Sequence, residues 1–139
     1  MRHRYHSPTN FESTIQLIRK AVPETAAIYL FGSRARGDDN DASDVDLAFI
    51  ARHPLDAVAR FDLQERIAAL LHTSVDLIDL RAASTVMRVQ VLEHGVLLYE
   101  RDPSERAFFE ASALSAYARL NEERRGILDD IQRSGHVHG

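Results

Sequence analysis

The sequence predicts an α/β (α+β) domain in which short strands alternate with helices and a long helix closes the chain. Three observations carry this. Apolar runs of strand length lie at 26–31, 44–50, 75–80 and 96–99. The segments between them repeat apolar residues at helical spacing. The 139 residues, 45% of them apolar, are enough to bury one core.

The elements follow in order. A first helix spans 9/10–20, with Phe11, Ile15 and Ile18 on one face and Thr9 or Asn10 as its cap; Pro23 ends the segment. The run 26–31 is too apolar for an exposed strand and reads as a buried one. It stops at Gly32-Ser33, and a polar stretch rich in Gly and Asp continues to Ser43. The second strand, 44–50, alternates acidic and apolar residues at its start. After His53-Pro54 a helix covers about 55–71, with an expected core stripe of Val58, Phe61, Ile67, Leu70 and Leu71. A third strand at 75–80 and a short helix at 84–93 lead to the helix stop His94-Gly95. The fourth strand is 96–99. Beyond Pro103 a helix extends to about Arg133, with Phe109, Ala113, Tyr117 and Leu120 on one face, and the tail 134–139 is expected to fray.

Seventeen basic and 21 acidic residues leave a net charge of -4, which opposes direct nucleic-acid binding through bulk electrostatics. With no cysteine, disulfides, thiolate metal sites and thiol nucleophiles are excluded. No apolar run approaches the roughly 20 residues that span a bilayer. The basic start of the chain is not followed by a signal-peptide core, so a cytoplasmic location without membrane contact is expected.

The chemistry is concentrated in Gly32-Ser33-Arg34-Ala35-Arg36-Gly37 and, further on, Ser43-Asp44-Val45-Asp46-Leu47. Residues i and i+2 of a strand share a face and lie about 6.5 Å apart. Asp44 and Asp46 therefore aim two carboxylates one way, while Val45 and Leu47 point into the core. Such a pair repels itself unless a cation sits between, and an oxygen-only ligand set suits Mg²⁺, which borrows phosphate oxygens from a substrate. Gly32-Ser33 lies at a strand end where a helix can begin. Backbone N–H groups there, the Ser33 hydroxyl and the Arg34 and Arg36 guanidiniums can receive a phosphate. Carboxylates with metal facing a phosphate-binding turn meet the needs of nucleotidyl transfer: one ion activates the attacking oxygen and the other steadies the leaving pyrophosphate.

In Val75-Asp76-Leu77-Ile78-Asp79-Leu80 the two acids fall on opposite faces, so only one can join the others. Asp76, beside the second strand, is the preferred third carboxylate, as metal ligand and general base. Asp79 is the alternative; otherwise it is a strand-end carboxylate facing water or a helix cap.

Gly32-Ser33, ten intervening residues and Asp44-Val45-Asp46 resemble the Gly-Ser-x10-Asp-x-Asp signature of the DNA polymerase β-like nucleotidyltransferases. Residues 75–81 resemble the third-carboxylate strand of the minimal nucleotidyltransferases (MNT) in that superfamily, and the similarity covers about 26–100. Within it the chain is most similar to the MntA-type antitoxins of type VII-like HEPN/MNT toxin–antitoxin pairs.

The resemblance implies a mixed sheet of about four or five strands flanked by helices, in one domain over 1–139 with a core of about 10–100 and a helix of about 103–133. It also implies transfer of AMP from ATP to a tyrosine of a partner HEPN RNase toxin, in a hetero-oligomer. By motif position, Gly32 and Ser33 hold the ATP phosphates, with Arg36 as a further phosphate contact. Asp44, Asp46 and Asp76 bind Mg²⁺, two ions in all, and Asp76 deprotonates the acceptor. Two other readings use the same residues: an antitoxin acting by occlusion, and a small-molecule (antibiotic) nucleotidyltransferase. A chain this short has little left to wall off a small acceptor, which favours a protein acceptor; the apolar stripe of the last helix is then a candidate docking face, with packing against the domain's own sheet as the preferred reading. His3, His6, His136 and His138 read as surface residues, and Asp38, Asp39 and Asp41 as turn-forming.

Overall fold

The computed structural model describes residues 11–36 and 44–133. Its elements are α1 (Glu12–Ala21), β1 (Ala27–Phe31), α2 (Ser33–Arg36), β2 (Val45–Ile50), α3 (Ala57–Leu71), β3 (Val75–Asp79), α4 (Thr85–His94), β4 (Val96–Glu100) and α5 (Pro103–Arg133). Four strands form one mixed sheet in the order β3-β2-β1-β4. β1 runs antiparallel to β2 and β4, and β2 is parallel to β3. A parallel neighbour requires a crossover, and α3 provides it.

The sheet separates two apolar layers. On one face Ile28, Leu30, Leu47, Phe49, Leu77 and Leu98 pack with Ile15 and Ile18 of α1 and Leu63 and Ile67 of α3. On the other, Tyr29, Ala48, Ile50 and Leu97 pack with Val91 and Leu92 of α4 and Phe109 and Ala113 of α5. Each large side chain removed from water in this way contributes about 1.5–3 kcal/mol.

The four strands appear where the apolar runs predict them. The stripe expected on α3 appears only in part: Ile67 is buried and Leu71 packs against the core. Val58, Phe61 and Leu70 are 76%, 54% and 42% exposed, and Leu63, outside the expected stripe, is buried beside Ile67. The helix carries apolar residues around most of its girth, so two stripes compete. A polar requirement at the sheet edge decides between them. β3 is an edge strand whose outer backbone groups need partners. Gln64 Oε1 accepts from Leu77 N–H at 2.9 Å, and Arg60 Nη1 donates to Leu77 O at 3.0 Å. Seating Arg60 and Gln64 there rolls Val58 and Phe61 outward.

α4 is held at both ends. Ser84 caps it by accepting from Met87 N–H at 3.1 Å, a device worth about 1 kcal/mol. Arg88 donates from Nε to Leu80 O and from Nη2 to Arg81 O, both at 2.8 Å, tying the helix to the turn after β3. At the other end Gly95 passes so close to the helix that a Cβ would lie 2.5 Å from Val91 O. α5 buries only Phe109 and Ala113, while Tyr117 and Leu120 are half-buried and Ile127, Leu128 and Ile131 are exposed. The expected apolar face therefore packs on its own domain only near the start of the helix. Arg106 ion-pairs with Glu100 of β4 and with Glu110, and Tyr29 donates to Glu110 at 3.1 Å, which pins that start to the sheet. Among the described residues no helix is long and apolar enough to cross a membrane. The expected caps Thr9 and Asn10, the acidic loop residues 38–41, the terminal histidines and the tail 134–139 lie outside the described residues.

Candidate functional site

The site is assembled at one end of the sheet, where β1 finishes and β2 and β3 begin. β1 ends at Phe31, which pairs with Asp46 of β2, and Asp46 is in register with Asp76 of β3. Neighbouring strands are about 4.8 Å apart, and residues in register point to the same face. Asp46 and Asp76 are thus side by side. Asp44, one residue ahead of β2 and exposed, belongs to the same face by the two-residue period. All three occupy the face that α4 and α5 cover lower down. Asp46 is half-buried and Asp76 is exposed.

Asp79, three residues after Asp76, falls on the opposite face and is 4% exposed. Its Oδ2 accepts from Leu55 N–H at 2.7 Å and its Oδ1 from Arg81 N–H at 3.0 Å. Both oxygens hold backbone, so this carboxylate pins the α3 entry and the turn after β3. It faces neither water nor the acidic group.

Gly32 follows Phe31 with φ +78°, in the left-handed region that glycine adopts without strain. A Cβ there would lie 2.1 Å from Asp46 Oδ2. The lack of a side chain lets the acidic strand and the turn close on each other. Ser33 opens α2, Arg36 is its last residue, and Ala35 N–H donates to Gly32 O at 3.1 Å. The Ser33 N–H heads the helix, where no carbonyl of α2 can accept it.

Carboxylate oxygens are the donor set that Mg²⁺ prefers, and the residues present fit such an ion. Among the described residues no group of three or more His, Asp or Glu side chains closes around a point as a metal cage. Mg²⁺ does not need one, since it is held through one or two carboxylates together with waters and substrate phosphates.

Two adjoining clefts complete the site, and sequence reasoning missed both. One, of about 400 Å³, includes Asp76, Ile78, Ser84 and Met87. The other, of about 560 Å³, is lined by Phe31, Gly32, Val86, Gln90 and His94, with Ser84 and Met87 shared between them. The only signal in the sequence was the 86/90/94 spacing, which reads as an ordinary helix face.

The network beneath also went unread. Burial, and then the adjacent Glu110 charge, push the Tyr29 hydroxyl pKa far above its ordinary 10.0. Burial disfavours the charged form of Arg106, but its hydrogen bond to Glu100 and the Glu110 charge outweigh this and keep it above its usual range.

Residues 12–104 match the family model described as polymerase beta, nucleotidyltransferase. The chain is 38% identical over 122 residues to the protein adenylyltransferase MntA of Shewanella oneidensis, covering 88% of this chain and 87% of that one. Its structure is similar to a chain of a toxin–antitoxin crystal structure with AMP-PNP, with a TM-score of 0.80 and 37% identity over 90% of this chain and 99% of the other. It is also similar, with a TM-score of 0.74 and 36% identity, to a chain in the complex of tri-AMPylated Shewanella oneidensis HEPN toxin with MNT antitoxin; that match covers 88% of this chain and 96% of the other.

Proposed function

The chain belongs to the polymerase β nucleotidyltransferase family, and we propose that it is the antitoxin of a HEPN/MNT pair, a protein adenylyltransferase that transfers AMP from ATP to a tyrosine of its HEPN toxin and so inactivates the toxin's RNase. The observation that carries this is the pairing of Asp46 with Asp76 beside Gly32, whose missing Cβ lets the turn reach Asp46. The relatives named above include a protein adenylyltransferase and an antitoxin bound to an AMPylated HEPN toxin. We read residues 1–139 as one minimal nucleotidyltransferase domain.

In this reading Gly32 and Ser33 receive the triphosphate through backbone N–H and hydroxyl, and Arg36 adds a cationic contact. Asp44, Asp46 and Asp76 would hold two Mg²⁺ ions, which when bound supply charge stabilisation for the phosphoryl oxygens. Asp76, exposed and next to Asp46, takes the proton of the acceptor hydroxyl. The acceptor oxygen bonds to the α-phosphorus as the bond to pyrophosphate breaks. Exposure of Asp44 and Asp76 suits an acceptor carried by another protein, and Ile127, Leu128 and Ile131 on α5 leave apolar surface for such a subunit.

The test is incubation of the toxin with this protein, ATP and Mg²⁺, followed by intact mass measurement. Added AMP increments that appear together with loss of RNase activity are expected. Inhibited but unmodified toxin would assign it to occlusion instead, and resistance conferred by this chain alone would point to a small-molecule acceptor.

A further inference from the structure

Gly32 follows β1, Asp46 stands on β2 and Asp76 on β3, so the 400 Å³ cleft at Asp76 meets the acidic group from the side opposite Gly32. Its walls differ from its end. Asp76 is exposed, and Ile78, two residues on and therefore on the same face, lies about 6.5 Å from it. Ile78, Ala83 and Met87 line the cleft and pack on the core beneath it. Ala82, exposed on the turn after β3, and Ala83 are small enough to leave the slot open. The cleft continues over the β3 edge to Arg60 of α3. There Arg60 and Gln64 hold the Leu77 backbone, and Phe61, one turn before Gln64, exposes its ring on the neighbouring flank. An acceptor that reaches Asp76 without displacing phosphates from Gly32 comes from this side.

We propose that this cleft takes a phenol: a tyrosine of the partner protein crosses the β3 edge, rests its ring on Ile78, Ala83 and Met87 and sets its hydroxyl at Asp76, while the partner's surface covers Phe61. This rests on the nucleotidyl-transfer reading above. A tyrosine has an apolar body and a polar tip, and the cleft has apolar walls and a carboxylate at its end. The spacing from Ile78 to Asp76 suits a hydroxyl that lies a ring's length from its own Cβ. A serine or threonine hydroxyl is bonded to Cβ itself, so its main chain would have to enter the slot to reach Asp76. The phenol gives its proton to Asp76 as its oxygen bonds to the α-phosphorus of ATP; the bond from that phosphorus to pyrophosphate breaks, and the electron pair leaves with pyrophosphate. Ala82 and Ala83 are the specificity-determining positions, because their size keeps room for the ring. The exposed Phe61 is explained by the same contact, since the partner that fills the slot lies across the flank of α3.

The experiment measures kcat and KM for AMP transfer to the toxin, and AMP-PNP affinity in Mg²⁺, for the full chain as wild type, Ala82→Leu, Ala82→Phe and Phe61→Glu, with the fold of each checked by thermal melting. Ala82→Phe fills the slot and is expected to lower kcat/KM for the toxin about 10²-fold, with Ala82→Leu between it and wild type. Phe61→Glu is expected to raise KM for the toxin about tenfold and to change kcat far less. AMP-PNP affinity is expected to stay at the wild-type value in all three. Wild-type kinetics in both Ala82 variants overturn the phenol slot, and a wild-type KM in Phe61→Glu overturns the docking flank; either result leaves the transfer reading standing. Loss of AMP-PNP binding together with transfer in Ala82→Phe also overturns the slot, because it assigns the cleft to the nucleotide. A wild-type chain that transfers no AMP to the toxin overturns the transfer reading and this proposal with it.

Discussion

The two faces of the sheet are built from the same strands and do different work. On the α1/α3 face, Leu47, Phe49 and Leu77 are completely buried and the layer is closed. On the α4/α5 face, the residues between them run Asp44, Asp46, Ala48 and Ile50, so the apolar layer stops short and carboxylates occupy the open end. A single strand thus contributes to core and site by alternation alone. Asp76 and Asp79 make the contrast sharper. Three residues apart on β3, they fall on opposite faces, where one is exposed beside Asp46 and the other is buried with both oxygens engaged by backbone N–H. Strand parity, more than residue type, decides whether a carboxylate serves chemistry or structure.

The comparison breaks most easily at Asp46. Asp46→Asn, or Asp44→Asn, keeps the volume and removes a ligand charge; a loss of about 4 kcal/mol of transition-state stabilisation lowers AMP transfer about 10³-fold. Thermal melting should stay near wild type, and full transfer by the double variant would remove the metal assignment. Next is Gly32→Ala. Its Cβ would meet Asp46 Oδ2 and its φ would be strained, so the carboxylate must move. A displacement of about 1 Å can cost about 10²-fold, readable as initial rate by intact mass.

The two acids of β3 provide the sharpest contrast. Asp76→Asn should reduce transfer by about 10²-fold or more while ATP affinity changes far less, because a proton acceptor is lost. Asp79→Asn should leave transfer near wild type and cost about 1–3 kcal/mol of stability in urea denaturation, since an amide donor would face a backbone N–H. The reverse order would exchange the roles of the two faces.

The smallest effect is expected at Tyr29, on the same face as the acids but further down the sheet. Its folded-state pKa lies above the ordinary 10.0, so the folded protein keeps a proton that the unfolded chain releases. That contribution is complete below pH 10 and declines as the pH rises beyond it. Tyr29→Phe should cost about 0.5–1.5 kcal/mol at neutral pH and flatten the alkaline fall in a pH series of urea midpoints.

Much of the site was legible because its signals are local. The Gly32-Ser33 break after an apolar run, the Asp44/Asp46 spacing and the opposite faces of Asp76 and Asp79 all follow from backbone period. On α3, Ile67 and Leu71 were placed correctly, but Val58 and Phe61 were taken for core residues because they are as apolar as Leu63; the choice between them rests on Leu77, a residue of a separate strand. The clefts along α4 were invisible for a similar reason, since Phe31 and Gln90 are 59 positions apart and meet only once the sheet is covered.

By itself the sequence determined which residues could share a face, because side-chain direction along a strand is set by covalent geometry. It also determined where the chain must turn, through a glycine that alone tolerates the required φ. Only the tertiary structure decided that Asp46 stands against Gly32 and in register with Asp76, and which side of α3 is buried. Those outcomes depend on pairing between distant strands and on partners for the backbone of an edge strand, and no periodicity within one segment contains that information.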